Sequence, residues 1–317
     1  MKNRFVIGSR GSDLALWQAK FVKTRLQEFF PESVFEIKVI STTGDQFVDT
    51  ALSKIGDKGL FTKQIETQLL NGEIDFAVHS LKDLQTDQPD GLTIGAVCGR
   101  ELPNDVLISK EFVSIDGLPK GAKVATGSLR RKSQLLSYRP DLEIVEIRGN
   151  VPTRLKKFDE SALDAIILAY AGLHRLGFDS RISQLIPFDT MLPAVGQGAI
   201  AVEVRENDEQ IFELVAKLDD AQTRTCISAE RSFLRRLDGG CQVPIGALAS
   251  LENGRLILEG MVGSLDGKIV YRERITADDS RPDELGRRLA ESLIEMGANQ
   301  LLAQVRAETE ATAEVKH

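Results

Sequence analysis

The sequence is poor in the residues that metal and disulfide chemistry need. Three cysteines (Cys98, Cys226, Cys241) and three histidines (His79, His174, His317) are spread over 317 residues. No two stand at ligand spacing, which argues against a structural zinc site. An odd, low cysteine count argues against a disulfide framework and for a reducing compartment. No stretch approaches the ~18 consecutive apolar residues of a membrane span. The start, Met1-Lys2-Asn3-Arg4 running into Phe5-Val6-Ile7-Gly8, is too short for a signal-peptide core, so a cytoplasmic location is expected. There is no Walker A pattern, internal repeat or low-complexity segment. A net charge of −7 speaks against general nucleic-acid binding. What remains, 42% hydrophobic and 27% charged residues, is the composition of an ordinary globular protein of two or three domains.

The first third alternates between strand and helix patterns. Arg4–Gly8, Val34–Ile40, Asp75–His79 and Leu92–Cys98 read as strands. Ser12 or Asp13 opens a helix with Leu14, Trp17, Phe21, Leu26 and Phe29 at near-helical spacing, and Phe61–Leu70 reads as another helix, stopped by Gly72. This predicts βαβ units and a mainly parallel sheet. The stretch 43–59 has no clear period and reads as a lid or a loop with a helical turn. After Pro103 the pattern begins again. Val106–Ile108, Lys123–Thr126, Ile144–Ile147 and Ala165–Leu168 read as strands, with helices over Ser128–Tyr138 and Pro152–Phe158. Ala199–Val204 is apolar enough to return into the first sheet. Gly196-Gln197-Gly198-Ala199-Ile200-Ala201 has the GxGxxA form, but Pro193 precedes it and a strand-like run follows, so it reads as a hinge rather than a dinucleotide fingerprint. In the last third a helix over Thr223–Leu237 precedes strands at Ile245–Leu251, Leu256–Val262 and Lys268–Ile275. Asn253-Gly254 and Asp266-Gly267 supply hairpin turns. One long helix, Pro282–Arg306, and a frayed tail from Ala307 complete the chain.

The expected domains are 1–98 with 199–218, then 99–198, then 219–307, with 308–317 as a polar tail. The fold class is α/β: two hinged, discontinuous α/β lobes and a small α+β domain with a three-stranded antiparallel sheet.

Positive charge is concentrated between Lys120 and Lys157, where ten basic residues face three acidic ones, a net of +7 in an acidic chain. Gly127-Ser128-Leu129-Arg130-Arg131 follows a strand and opens a helix, and Arg148-Gly149-Asn150-Val151-Pro152 repeats the arrangement. Backbone N–H groups, helix dipole and guanidinium groups at such a place bind anions. Ligands of open α/β sheets collect at these carboxyl ends. Lys156 and Lys157 read as a solvated helix face. Arg10-Gly11-Ser12 stands at the first strand end. His79-Ser80-Leu81-Lys82-Asp83 brings a hydroxyl, a cation and a carboxylate to another. Asp83 could manage a proton there, although spacing alone favours a cap or a salt bridge with Lys82. His79 reads equally as a buried strand residue or a catalyst. Cys98 and Cys226 read as small hydrophobes. Cys241, between two glycines and Gln242-Val243-Pro244, sits on a constrained turn and reads evenly as reactive or inert.

Together these segments resemble the porphobilinogen deaminase (hydroxymethylbilane synthase) family. The match is carried by Gly8–Ser12, Thr42–Asp45, Lys58–Phe61, His79–Asp83, Thr126–Arg131, Arg148–Asn150, Leu192–Gly198, Glu230-Arg231 and Gly239–Pro244. The resemblance implies an enzyme that joins four porphobilinogen molecules head to tail into 1-hydroxymethylbilane, releasing four ammonia, in tetrapyrrole biosynthesis. It implies lobes similar to type II periplasmic binding proteins. It implies a dipyrromethane cofactor on a thioether to Cys241, with Asp83 as the catalytic carboxylate that stabilises the cationic azafulvene. Cofactor contacts fall on Lys82, Asp83, Thr126, Ser128, Arg130, Arg131, Arg148 and Gly149. Substrate contacts fall on Arg10, Ser12, Arg154, Arg175 and Gln197, and Lys58 lies on the lid loop. No metal, nucleic acid or membrane is implied. A monomer is expected, with a transient contact to uroporphyrinogen III synthase left open.

The chemistry agrees with the charge pattern. Two cofactor rings and four added rings bring up to twelve carboxylates together, which demands cations along their path. The competing reading is a two-lobed carboxylate-binding module. A phosphoribosyltransferase-like enzyme is a second alternative, but it leaves the Gly-Gly-Cys loop without a task. Ammonia release from porphobilinogen separates all three.

Overall fold

The computed structural model describes residues 3–46, 59, 61–238, 243–278 and 280–314, without the side chains of 45, 46 and 312–314. Contacts divide the described chain into two compact units. One runs to Glu101 and takes in Gly198–Arg224; the other holds Leu102–Gln197 and the residues from Thr225 onward.

In the first unit β1 (Arg4–Ser9) leads to α1 (Asp13–Phe29), β2 (Val34–Val39), α2 (Thr43–Gln46), α3 (Lys63–Leu70), β3 (Phe76–Ser80) and β4 (Leu92–Val97). The second unit continues with β5 (Asp105–Ser109), β6 (Lys123–Ala125), α4 (Leu129–Tyr138), β7 (Glu143–Val145), α5 (Val151–Asp159), β8 (Ala165–Ala169), α6 (Tyr170–Arg175) and β9 (Gln184–Leu185). The chain then adds β10 (Ile200–Arg205) and α7 (Glu209–Val215) to the first unit. After α8 (Ala221–Arg236) come β11 (Ile245–Glu252), β12 (Arg255–Gly263), β13 (Val270–Asp278), α9 (Pro282–Glu295) and α10 (Ala298–Glu314).

Among the described residues the strands form two five-stranded sheets, β2-β1-β3-β10-β4 and β7-β6-β8-β5-β9, and one three-stranded sheet, β11-β12-β13. The α/β class with a small antiparallel third sheet is therefore correct; in each five-stranded sheet four strands run in one direction, and one strand, β10 or β5, opposes them. β10 runs antiparallel to both β3 and β4, and β5 antiparallel to β8 and β9. A strand that returns from a long excursion needs no right-handed βαβ crossover, so nothing obliges it to run parallel. Alternation along β10 buries Ile200, Val202 and Val204 with α1 and α7, while α3 covers the opposite face through Ile65 and Leu69.

Two helices differ from their expected form. The buried face of α1 is Ala15, Gln18, Ala19, Val22 and Leu26. Trp17 and Phe21 instead stack on each other at 5.6 Å, each 36% exposed. Small residues let the helix approach the sheet closely, and the aromatics are turned outward. The predicted helix Pro282–Arg306 is two helices. Gly297, at φ 111°, takes a conformation that other L residues rarely adopt and separates α9 from α10. Leu301 and Leu302 then pack into the third sheet's core, and α10 continues to Glu314 past the point where the sequence reads as frayed.

Glu230 on α8 is fully buried and accepts two backbone N–H groups, Gly196 at 2.8 Å and Ala249 at 2.9 Å. A single carboxylate thus braces the Pro/Gly-rich segment against β11.

Candidate active site

β1 and β3 are parallel neighbours, so their carboxyl ends lie on the same edge of the first sheet. At this edge Ser12 caps α1, accepting the Ala15 N–H at 3.4 Å. Arg10 holds its guanidinium 4.2 Å from the centroid of the Phe61 ring, a cation–π arrangement that fixes the fork without consuming its charge. Gln18, 2% exposed on the buried face of α1, donates Nε2 to Ser80 Oγ at 2.8 Å. β3 then ends in a 3₁₀ turn, Leu81–Asp83. Arg10, Ser12, Gln18, Phe61, Thr62, His79, Ser80 and Asp83 line one pocket. Asp83 is half-buried, and among the described residues no hydrogen-bond donor or cation pairs with its carboxylate. The cap and the Lys82 salt bridge favoured by spacing are both absent there.

His79 is 5% exposed and places Nε2 3.2 Å from Glu203 Oε2. The even choice left by the sequence thus falls toward a buried strand residue, although its ring still lines the pocket. Glu66, 5% exposed on α3, lies beside this pair. Burial pushes its carboxyl above the ordinary carboxylate range, and the Glu203 charge adds to the rise; Thr62 and His79 act the other way.

The carboxyl ends of β6, β7 and β8 form the corresponding edge of the second sheet. Ser128 caps α4 by accepting the Arg131 N–H at 3.4 Å, and Asn150 caps α5 by accepting the Thr153 N–H at 2.9 Å. Thr126 Oγ1 accepts the Ser128 N–H at 3.3 Å. Gly149, at φ 121°, sits where a Cβ would lie 2.7 Å from Thr153 Cγ2, so the turn into α5 requires glycine. Arg148 reaches Glu146 through Nε at 2.8 Å and Nη2 at 2.5 Å. Arg154 extends from α5, and Arg175 is buried on α6.

Arg130 and Arg131 depart from the expectation of an open anion site. They are 4% and 5% exposed and turn inward onto Asp105, Arg130 Nη1 at 2.7 Å and Arg131 Nη2 at 2.8 Å. Arg130 also donates to the Leu192 carbonyl and Arg131 to that of Ile167. Burial alone would raise the Asp105 carboxyl; the charges and hydrogen bonds of the two arginines outweigh it and hold the group well below the usual carboxylate range. Gln197, expected at substrate, gives Nε2 to the Pro103 carbonyl at 2.7 Å and to Asp105 at 3.0 Å. The Lys120–Lys157 surplus is therefore partly internal, since Arg139 is likewise tied to Asp141. Cys241 and Lys58 lie outside the described residues. Cys98 and Cys226 are buried free thiols in apolar cores, as read.

Sequence reasoning gave no role to Gln18, Phe61, Asp105, Glu66 or Glu203. Two of them carried a signal: Gln18 interrupts an apolar helix stripe, and Asp105 opens a strand buried through its first four residues.

Two sheet edges furnished with helix starts, hydroxyls, guanidinium groups and the Asp83 carboxylate, which no described group pairs, define an α/β protein suited to handling anions. Comparison with known proteins narrows the class. Residues 5–213 match the family described as porphobilinogen deaminase, dipyromethane cofactor binding domain, and residues 224–295 match porphobilinogen deaminase, C-terminal domain. The porphobilinogen deaminase of Pelotomaculum thermopropionicum is 54% identical over 308 residues, covering 97% of this chain and 99% of that protein. That of Chlorobium phaeobacteroides is 52% identical over 310 residues, covering 96% and 99%. The chain belongs to the porphobilinogen deaminase family. Among solved structures, a putative methionine-binding lipoprotein of Bacillus subtilis is similar at 14% identity and a TM-score of 0.43, covering 70% of this chain and 92% of that one.

Proposed function

We infer that this chain is a hydroxymethylbilane synthase: it joins four porphobilinogen molecules head to tail with release of four ammonia, and one water hydrolyses the finished chain to 1-hydroxymethylbilane, for tetrapyrrole biosynthesis. The observation that carries the mechanism is the unpaired Asp83 carboxylate in a pocket that also holds Arg10, Ser12 and Ser80. A carboxylate held there stabilises the cation left when porphobilinogen loses its amine, and it can accept the α-hydrogen of the attacked pyrrole as a proton. Gln18 orients Ser80, and Phe61 holds the Arg10 fork where it can receive an acetate or propionate group.

The family's cofactor is dipyrromethane, which when bound supplies the pyrrole on which the product is built. The donor set suits its carboxylates: two capped helix starts, the Thr126 and Ser128 hydroxyls and guanidinium forks stand at neighbouring strand ends. We assign it Cys241 as the thioether anchor, with Lys82, Asp83, Thr126, Ser128, Arg148 and the Gly149 N–H. Arg10, Ser12, Arg154 and Arg175 are assigned to substrate. Arg130, Arg131 and Gln197 act from behind: two guanidinium groups against the single Asp105 carboxylate leave a net positive field under the α4 start. Lys58, outside the described residues, is assigned the lid-loop role that the family resemblance implies.

The reading includes three domains with boundaries near residues 98, 198 and 218, a hinge at Gly196–Gly198, a monomer, and a cytoplasmic location. No helix among the described residues is long and apolar enough to cross a membrane. The decisive experiment pairs ammonia release from porphobilinogen with intact-mass measurement. Active protein should carry two pyrrole rings, and a Cys241→Ser variant should carry none and be inactive. Full activity from a chain of bare polypeptide mass would overturn the assignment.

A further inference from the structure

Among the described residues, Glu66, His79 and Glu203 are buried titratable groups that the mechanism above does not use. β3 and β10 pair antiparallel with Ala201 opposite His79 and Glu203 opposite Ala77, which sets His79 and Glu203 diagonally on one face of the sheet. That face is covered by α3, whose Glu66 lies one turn after Thr62. Glu203 is fully buried, and His79 and Glu66 are each 5% exposed. Among the described residues, Oε1 of Glu66 and Oε1 of Glu203 are buried without a hydrogen-bond partner. Two buried carboxylates against one imidazole are a costly way to fill a space that apolar side chains could occupy. The cluster also touches the pocket, because Thr62 and His79 form part of its wall beside Ser80 and Asp83.

We propose that Glu66, Glu203 and His79 form one buried cluster that positions the Thr62–His79 wall of the catalytic pocket, so that loss of the Glu66 proton disturbs the Asp83 site. The inference rests on the assignment of that pocket to catalysis. Glu66 is the member that gives the proton up as pH rises. Its ionisation would set two buried carboxylates against each other across the α3–sheet contact.

The charged groups facing Glu66 are few. β3 offers His79, with Asp75 just before the strand. β10 offers Glu203 and Arg205, but Arg205 is occupied by Asp208 and by the Leu69 and Ile74 carbonyls. β1 presents Val6 and Gly8, which carry no charge. Among the described residues, Glu203 and His79 are therefore the groups that govern Glu66.

The test uses cofactor-loaded protein and the variants Glu66→Gln and Glu203→Gln, read by Tm from the ordinary carboxylate value of about pH 4.5 up to pH 8.5 and by kcat across the upper part of that range. A carboxyl raised in the folded state contributes stability that is lost as pH rises through its folded value. Wild-type Tm should therefore fall relative to Glu66→Gln over this range, the gap opening by about 2 °C or more. The kcat ratio between pH 8.5 and pH 6.5 should be at least threefold higher in Glu66→Gln than in wild type, with KM little changed. Glu203→Gln, which also removes one of the opposed carboxylates, should move both readouts the same way. Parallel Tm curves would show that the cluster does not titrate and would overturn the proposal. A Tm gap without a change in the kcat ratio would overturn its link to the pocket. Failure of the catalytic assignment would appear differently, as no ammonia release from wild type at any pH.

Discussion

Arg131 grips one oxygen of Asp105 with two nitrogens, Nε at 3.1 Å and Nη2 at 2.8 Å, while Arg130 takes the other oxygen. Asp105 is fully buried, so the three side chains depend on one another for solvation. Replacing Asp105 by Asn keeps the shape and leaves two uncompensated guanidinium groups; the expected loss is about 3–5 kcal/mol in urea unfolding. Because the folded Asp105 carboxyl is depressed, its contribution is present above the unfolded carboxylate range and is lost as pH falls below it. Wild type should lose this part of its stability only below about pH 4, and Asp105→Asn should show no corresponding loss there. A cost under 1 kcal/mol would reduce the triad to an ornament.

Gly198 has φ 90°, and a Cβ there would stand 2.4 Å from the Glu101 carbonyl oxygen. Both backbone strain and collision with a neighbouring chain segment oppose any side chain. Gly198→Ala should cost about 2 kcal/mol or more in thermal or urea unfolding. Gly72→Ala is the informative control. It shares a positive φ but meets nothing within 4 Å, so its smaller cost measures strain alone.

Asp83→Asn preserves size and removes the charge. Ammonia release should fall by a factor on the order of 10² to 10⁴ with Tm close to wild type, since no described group depends on that carboxylate. Turnover within threefold of wild type would remove Asp83 from the chemistry.

Arg148→Lys tests whether a planar fork is required at the end of β7. A lysine supplies the charge but not the paired N–H geometry now directed at Glu146. The expected result is slower porphobilinogen consumption, by about tenfold, at unchanged far-UV circular dichroism. Equal rates would mean that charge alone suffices there.

Local rules made much of the fold legible. Ser128 and Asn150 both cap helices where the sequence places caps, and Asn253-Gly254 and Asp266-Gly267 form the turns of the third sheet. Gly297 carried a recognisable helix-stop signal that the regular leucine spacing around it concealed. The misread face of α1 has a different origin: aromatic residues dominate a hydrophobic pattern, whereas the sheet selects small residues that allow close approach. Partnerships over long sequence distances were not legible. Asp105 meets Arg130 across 25 residues and His79 meets Glu203 across 124, and no local pattern encodes either. The candidate site was read where residues cluster in sequence, at His79–Asp83 and Thr126–Arg131. The inward direction of the Arg130 and Arg131 guanidinium groups, onto Asp105, was not legible there.

The position of β10 bears on how the chain is made. It fills the gap between β3 and β4, yet the strand before it in that sheet ends at Val97 and it begins only at Ile200. During synthesis the facing edges of β3 and β4 must therefore remain open until about a hundred further residues have left the ribosome. Completion of the first sheet is thus a late folding event, which leaves two open strand edges on the nascent N-terminal third.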